Sequence, residues 1–349
     1  MKQNKIVTMN TVAALCVGTI LSVGPSAPAY AAEVDGPEVH WNLSLWGARR
    51  GFSEGLEGLA DYVSQKTDGN FEITLHYGAV LSSNKENLDG LYLGAFEAAA
   101  FCPVYHPDKT PALGALDLAF LPIDTLEKRR DVIEAFYENP VVVEEFAKWK
   151  SVPLMGVMLP NYEAMGTGDV PDTLSTWQGM RISSTGGVGR LMAALDASVT
   201  VVSAPDMFQS MERGVIDAAT FPYTYAFAAY RLHEISTWVT DGWSLGAIVC
   251  HAAVTQTAYD ALPDQYKTLL EEGITAGYAH QIQEYSDVDV VNEVLFEEAG
   301  LIRVPLSDEI QQAILDAAQP SWTAWVEAAT ENGVPGQELL DSVLSLAAR

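Results

Sequence analysis

Positive charge is scarce in this chain. Nineteen lysines and arginines stand against 46 aspartates and glutamates over 349 residues, a formal net charge of −27. Two of those cations, Lys2 and Lys5, lie at the very start, so the remainder is more acidic still. A surface with that balance repels phosphate backbones and anionic lipid, which excludes nucleic acid and acidic membrane surfaces as partners. It suits a protein that stays dispersed as a monomer, including in salty surroundings. Cysteine is also sparse, at three residues, of which Cys16 lies near the start. The remaining pair, Cys102 and Cys250, is no disulfide framework. Cysteine is among the most buried residues even when unpaired, so two buried free thiols are the expectation. A bridge stays open if the chain is exported. The six histidines (His40, His76, His106, His233, His251, His280) show no zinc-ligand spacing, and there is no G-x-S-x-G elbow. Gly187-Val188-Gly189 opens a helical stretch, but Met192 stands where a dinucleotide fingerprint needs a third small residue. Catalysis of these kinds is therefore excluded, and no cofactor is expected.

Long apolar runs are missing too, apart from Thr11 to Val23, which is too short to span a bilayer. With Lys2 and Lys5 before it and Ala29-Tyr30-Ala31 after it, residues 1–31 read as an export signal cleaved after Ala31. The mature chain is then soluble and periplasmic.

What is present is an alternation of strands and helices. Val39 to Leu45 alternates as a strand. Phe52 to Lys66 carries Leu56, Leu59, Ala60 and Val63 at helical spacing, and Phe71 to Tyr77 has period two. A helix over 83–93 ends at Gly94. Ser198 to Val202 is a short β-branched strand, Ser203 to Asp206 reads as a capped helix start, and Gly214 stops that helix. Gly94-Ala-Phe-Glu-Ala-Ala-Ala-Phe101 and Gly214-Val-Ile-Asp-Ala-Ala-Thr-Phe221 match in Gly, acid, Ala-Ala and Phe. The match predicts two similar lobes, with Phe101 and Phe221 at equivalent strand ends. In open α/β sheets ligands bind beyond the carboxyl ends of strands, so two such lobes would hold a ligand between them.

Arg181 sits between Met180 and Ile182 in a short apolar strand, followed by Ser183-Ser184-Thr185-Gly186-Gly187. A guanidinium keeps its charge, and burying it unpaired is costly. It must meet a carboxylate, either a ligand's or one of the chain's own. Small hydroxyls beside a fixed cation suit capture of a small anion. Lys128-Arg129-Arg130 reads as a solvated helix face, and Trp322 and Trp325 as packing residues of a helical tail.

The chain resembles the periplasmic substrate-binding proteins of tripartite ATP-independent periplasmic (TRAP) transporters, the DctP-like family. The resemblance lies in Thr67-Asp68-Gly69-Asn70-Phe71, Gly94 to Ala98, Leu174 to Ile182, Met211 to Ala218, Tyr230-Arg231-Leu232-His233-Glu234 and Ala258 to Pro263. It implies a two-lobed α/β binding-protein fold with a central ligand cleft and a helical C-terminal tail. Lobe one would hold 34–158 and 247–285, and lobe two 159–246 and 286–349. Pro153, the Met158-Leu159-Pro160 break and the Trp243–Gly246 region are candidate crossing points. The resemblance also implies a receptor without catalysis, which passes a small organic anion to the small and large subunits of a membrane permease. A ligand-presenting sensor is the alternative use of such a receptor.

By the same resemblance Arg181 is the carboxylate anchor, Ser183 and Ser184 its helpers, and Asn161 a second polar contact. Where many members carry an asparagine, this chain has Phe221. The Glu-Trp pair of a metal-dependent branch is absent near Thr220, so no bound metal is expected. Phe101, Phe221 and Tyr223 would shape the pocket and Trp46 would close it. Aromatics around one arginine suit an aromatic or bulky acid. They suit equally a zwitterion with a quaternary ammonium, or a sulfonate.

Overall fold

The alternating segments become strands in the computed structural model, which describes residues 33–349. The expected export signal lies outside the described residues. β1 (Val39–Ser44) lies parallel to β2 (Phe71–His76), in register from Val39 opposite Phe71 to Ser44 opposite His76. On its other side β1 pairs in parallel with β3 (Ala98–Phe101). β4 (Ser151–Val157) completes the same sheet through β10 (Cys250–Thr255), which runs antiparallel to both β3 and β4. The strand order is β2-β1-β3-β10-β4.

The second sheet repeats this plan. β5 (Tyr162–Gly166), β6 (Arg181–Ser183), β7 (Ser198–Thr200), β8 (Ala218–Pro222), β9 (Trp238–Asp241) and β11 (Ile302–Pro305) are ordered β11-β9-β5-β8-β6-β7. β7, β6 and β8 are parallel, as β2, β1 and β3 are, and an antiparallel strand follows in each sheet. β8 thus occupies the place of β3, and the paired motifs ending at Phe101 and Phe221 do mark equivalent strands. The antiparallel fourth strand of each sheet, β10 in the first and β5 in the second, follows a chain crossing. The crossings fall at 158–161 and 242–249. Pro153 is not among them. It lies within β4, where the β4–β10 register shifts, a place that tolerates a residue without an amide hydrogen.

The helices are α1 (Gly51–Lys66), α2 (Asn87–Leu93), α3 (Leu126–Tyr137), α4 (Pro140–Lys148), α5 (Leu174–Trp177), α6 (Gly186–Ala194), α7 (Met207–Glu212), α8 (Tyr225–Ala229), α9 (Gln256–Asp260), α10 (Asp264–Glu298), α11 (Asp308–Glu331) and α12 (Gly336–Ala347). α10 is unbroken over 35 residues. It packs on α1 beside the first sheet and on α8 beside the second. The expected division at 285/286 therefore falls inside one helix. Gly277 allows the α1–α10 crossing, because a Cβ there would come within 2.4 Å of the Gly55 carbonyl oxygen. The tail is shared between the lobes: α11 packs on α6, and α12 on α3. The core is continuous through both sheets, with Trp41, Phe71, Phe101, Phe136, Trp177, Phe227 and Trp238 fully buried. No described helix is long and apolar enough to cross a membrane.

Candidate ligand site

The parallel strands of both sheets end at a common cleft. β1 runs into Trp46 and Arg50, β3 into Cys102 and Tyr105, and β8 ends in Phe221 and Pro222 before Tyr225. With Leu159 from a crossing segment, Tyr162 at the start of β5 and Tyr230 after α8, these residues enclose one chamber. It holds only about 40 Å³ of free space, because its own aromatic side chains nearly fill it. A second, smaller chamber adjoins it through Tyr105, Tyr162, Phe221 and Ile248, and is lined further by Ser183, Ser184 and Thr220. Ser184 and Thr220 hydroxyls lie 2.7 Å apart, and Ser183 Oγ accepts the Val202 amide at 3.1 Å.

Arg50 is the cation lining the first chamber. Its Nη1 donates to the Trp46 and Ala48 carbonyls at 3.0 and 2.8 Å. Its Nε is buried with no partner, and among the described residues no carboxylate pairs with it. The Nε–Nη2 edge, which can take a carboxylate side-on, is thus uncommitted. The guanidinium lies 4.5 Å from the Phe52 ring centre and 5.6 Å from that of Tyr230. The preceding arginine is committed: Arg49 Nε and Nη2 donate to both oxygens of Glu54 at 2.8 and 2.7 Å. Trp46 packs against Phe52 and Tyr105, with ring centres 5.0 and 6.2 Å apart. The Tyr230 hydroxyl is buried without a partner, and burial pushes the Tyr105 hydroxyl up to about 12. These phenols stay protonated and can donate to an acid oxygen.

The structure places the expected site residues unevenly. Trp46 and Phe221 line the first chamber, and Ser183 and Ser184 the second. Arg181 does not reach either. It begins β6, at the opposite end of the strand from the cleft, half exposed. There its Nε donates to Asp217 at 3.0 Å, its Nη2 donates to the same carboxylate, and its Nη1 donates to the Gly214 carbonyl at 2.6 Å. The Arg181 guanidinium holds the Asp217 carboxyl below its ordinary range. Of the two open readings of Arg181, the internal ion pair is the one the geometry realises. Phe101 is packed against His106, Phe146 and His251 in the core, and the next residue, Cys102, faces the chamber instead. Tyr223 donates its hydroxyl to Glu293 on α10, leaving Tyr225 as the chamber aromatic. Asn161 accepts from Arg129 Nη2 at 3.0 Å in a separate recess. Arg129 itself is buried, not solvated, so the Lys128–Arg130 face is corrected at its middle residue. Ser203 does not cap its helix. Its hydroxyl accepts from Asn84 across the cleft at 3.0 Å.

Cys102 and Cys250 are joined in a disulfide, which overturns the expectation of free thiols. The antiparallel pairing of β3 with β10 brings the two positions side by side across 148 residues of chain, a neighbourhood that no local spacing reveals. Both line the first chamber. Arg50 was the other omission. It stands just past the first predicted strand, a neighbourhood that the rule on strand ends covers when applied to β1, but that rule does not separate it from Arg49. Among the described residues no group of three or more His, Cys, Asp or Glu could hold a metal ion.

The chain belongs to the bacterial extracellular solute-binding protein family 7, the DctP family, whose profile matches residues 45–328. This bears out the resemblance to TRAP solute receptors; the family is one of receptors, not of enzymes. A monocarboxylate 2-oxoacid-binding periplasmic protein of Nostoc sp. is 21% identical over 90% of this chain and 86% of its own. Among solved structures, a marine metagenome TRAP solute-binding protein specific for aromatic acid ligands, in complex with 3-hydroxybenzoate, superposes with a TM-score of 0.79. It is 18% identical and covers 90% of this chain and 99% of its own. A Bordetella pertussis extracytoplasmic solute receptor binding pyroglutamic acid gives 0.76, at 17% identity, over 87% and 99% of the two chains. These structures share the two-lobed fold.

Proposed function

We propose that this receptor works in the periplasm as a monomer, captures a small monocarboxylic acid with an aromatic or bulky body, and delivers it to a two-subunit TRAP permease. The acid group pairs with Arg50, and the body stacks among Trp46, Tyr105, Phe221 and Tyr225. One observation carries the reading: a cation with an uncommitted edge, its Nε buried without a partner, caged by aromatics where the strands of both sheets end. The related receptors' ligands, 3-hydroxybenzoate, pyroglutamate and 2-oxoacids, supply the chemical class. A quaternary ammonium is disfavoured, since Arg50 already lies over the Phe52 and Tyr230 faces that would attract it. Because the free space is small, the lobes must part for cargo to enter and close on it by differential contacts. Thermal shift against benzoate, 3-hydroxybenzoate, pyroglutamate, 2-oxoacids and C4-dicarboxylates tests this, since a ligand of the folded state raises the melting point. Aromatic acids should give the largest shifts. Tightest binding of plain C4-dicarboxylates would refute the aromatic reading.

A further inference from the structure

A third chamber of the same cleft has no part in the proposed capture. It opens next to the serine-lined chamber, with which it shares Thr185 and Val201, and holds about 270 Å³ of free space, far more than either neighbour. Pro103, Val104 and Trp325 supply an apolar wall, while Arg190 supplies a cation and Asp117 a buried carboxyl group.

Arg190 projects from α6 and makes no hydrogen bond or ion pair among the described residues; its Nε is buried with no partner. Burial draws its pKa down from the ordinary arginine value, and only the charge of Asp117 works against that. Asp117 does not relieve it by contact. One of its carboxylate oxygens accepts the Val249 amide at 2.7 Å, and burial lifts its pKa to about 8. A largely buried guanidinium whose Nε has no partner is costly, and a carboxylate entering from solution would lower that cost. The apolar wall fits an apolar body behind the acid group rather than a bare inorganic anion.

We propose that this chamber is a second binding site for a small organic carboxylate with a flat apolar body, its acid group paired with Arg190. The proposal shares with the Arg50 reading only the class of solute. It is tested by calorimetric titration of the full chain with benzoate, comparing wild type with Arg50→Met, Arg190→Met and Arg190→Lys. Two binding events are expected in the wild type. Arg190→Met should weaken one of them by about thirty-fold or more and leave the other, and Arg190→Lys should recover part of the loss. The Arg190 guanidinium has no protein hydrogen bond to lose, so the variant should fold. Ala328→Trp, which plugs the chamber from an exposed position on its α11 wall, provides an independent second variant with the same expected loss. A single event that Arg190→Met abolishes and Arg50→Met spares would support this chamber and defeat the Arg50 reading. Isotherms unchanged by both Arg190→Met and Ala328→Trp, or no benzoate binding at millimolar concentration, would overturn the proposal.

Discussion

Replacing Arg50 with methionine separates ligand recognition from fold maintenance. In the empty receptor this arginine makes two hydrogen bonds, to the Trp46 and Ala48 carbonyls. At about 0.5–1.5 kcal/mol each, their loss should cost the apo protein about 1–3 kcal/mol. In the liganded receptor the same change removes one partner of a buried charge pair, worth roughly 2–5 kcal/mol. At about 1.4 kcal/mol per decade, affinity should fall by about thirty-fold to several thousand-fold. Arg50→Lys should recover only part, because an ammonium cannot present a planar two-bond edge. The control is Arg181→Ala. Its ion pair with Asp217 lies on the surface, and such pairs contribute little, so affinity should stay near wild type. Titration calorimetry with the best acid from the thermal-shift panel, and the melting point of each apo variant, decide the matter together. Cargo affinity of Arg50→Met within about threefold of wild type would refute the assignment. A large loss of affinity in Arg181→Ala would restore the anchor read from the motif.

Three further outcomes are expected. Reducing the Cys102–Cys250 bridge, or changing both to serine, releases a 148-residue loop in the unfolded state; the chain-entropy estimate is about 5 kcal/mol, so the melting point should drop sharply, and no drop in calorimetry would show that the bridge does not constrain the unfolded chain. Burial lifts Asp117 to about 8 and Glu145 and Glu163 to about 7, so the folded state holds protons that the unfolded state has released. That contribution is fully present below about pH 4 and is lost as pH rises through the folded values, so the melting point should fall from pH 5 to pH 8. Asp117→Asn, which keeps an oxygen for the Val249 amide, should flatten the slope, and an unchanged slope would remove Asp117 from the account. Phe221→Asn should weaken aromatic acids and favour smaller polar ones in a competition titration; an unchanged order of preference would place the ring outside the contact surface.

The disulfide and the arginines show why some of the site was legible in the sequence and some was not. Strand period, helix spacing and the glycine stops are local properties, so β1, β2, α1 and the Gly94 and Gly214 boundaries follow from neighbouring residues. The repeated Gly-acid-Ala-Ala-Phe segment likewise announced two alike sheets, and the strand-end rule placed a cleft between them. Trp46, Phe221, Ser183 and Ser184 belong to it because they sit at strand ends, a one-dimensional property. Whether an arginine is free is a different kind of fact. Arg49 is committed to Glu54, and Arg181 to Asp217, 36 positions away. Arg50 and Arg190 have no such acid among the described residues. In sequence the four are alike, since the chain has acids to spare for each. Only the folded backbone decides which carboxylates come within reach, just as only β3 lying against β10 brings Cys102 to Cys250. Local periodicity and the repeated segment determined that this chain builds two alike α/β lobes; long-range packing determined which of its arginines meet a carboxylate of the chain and which, as Arg50 and Arg190, do not.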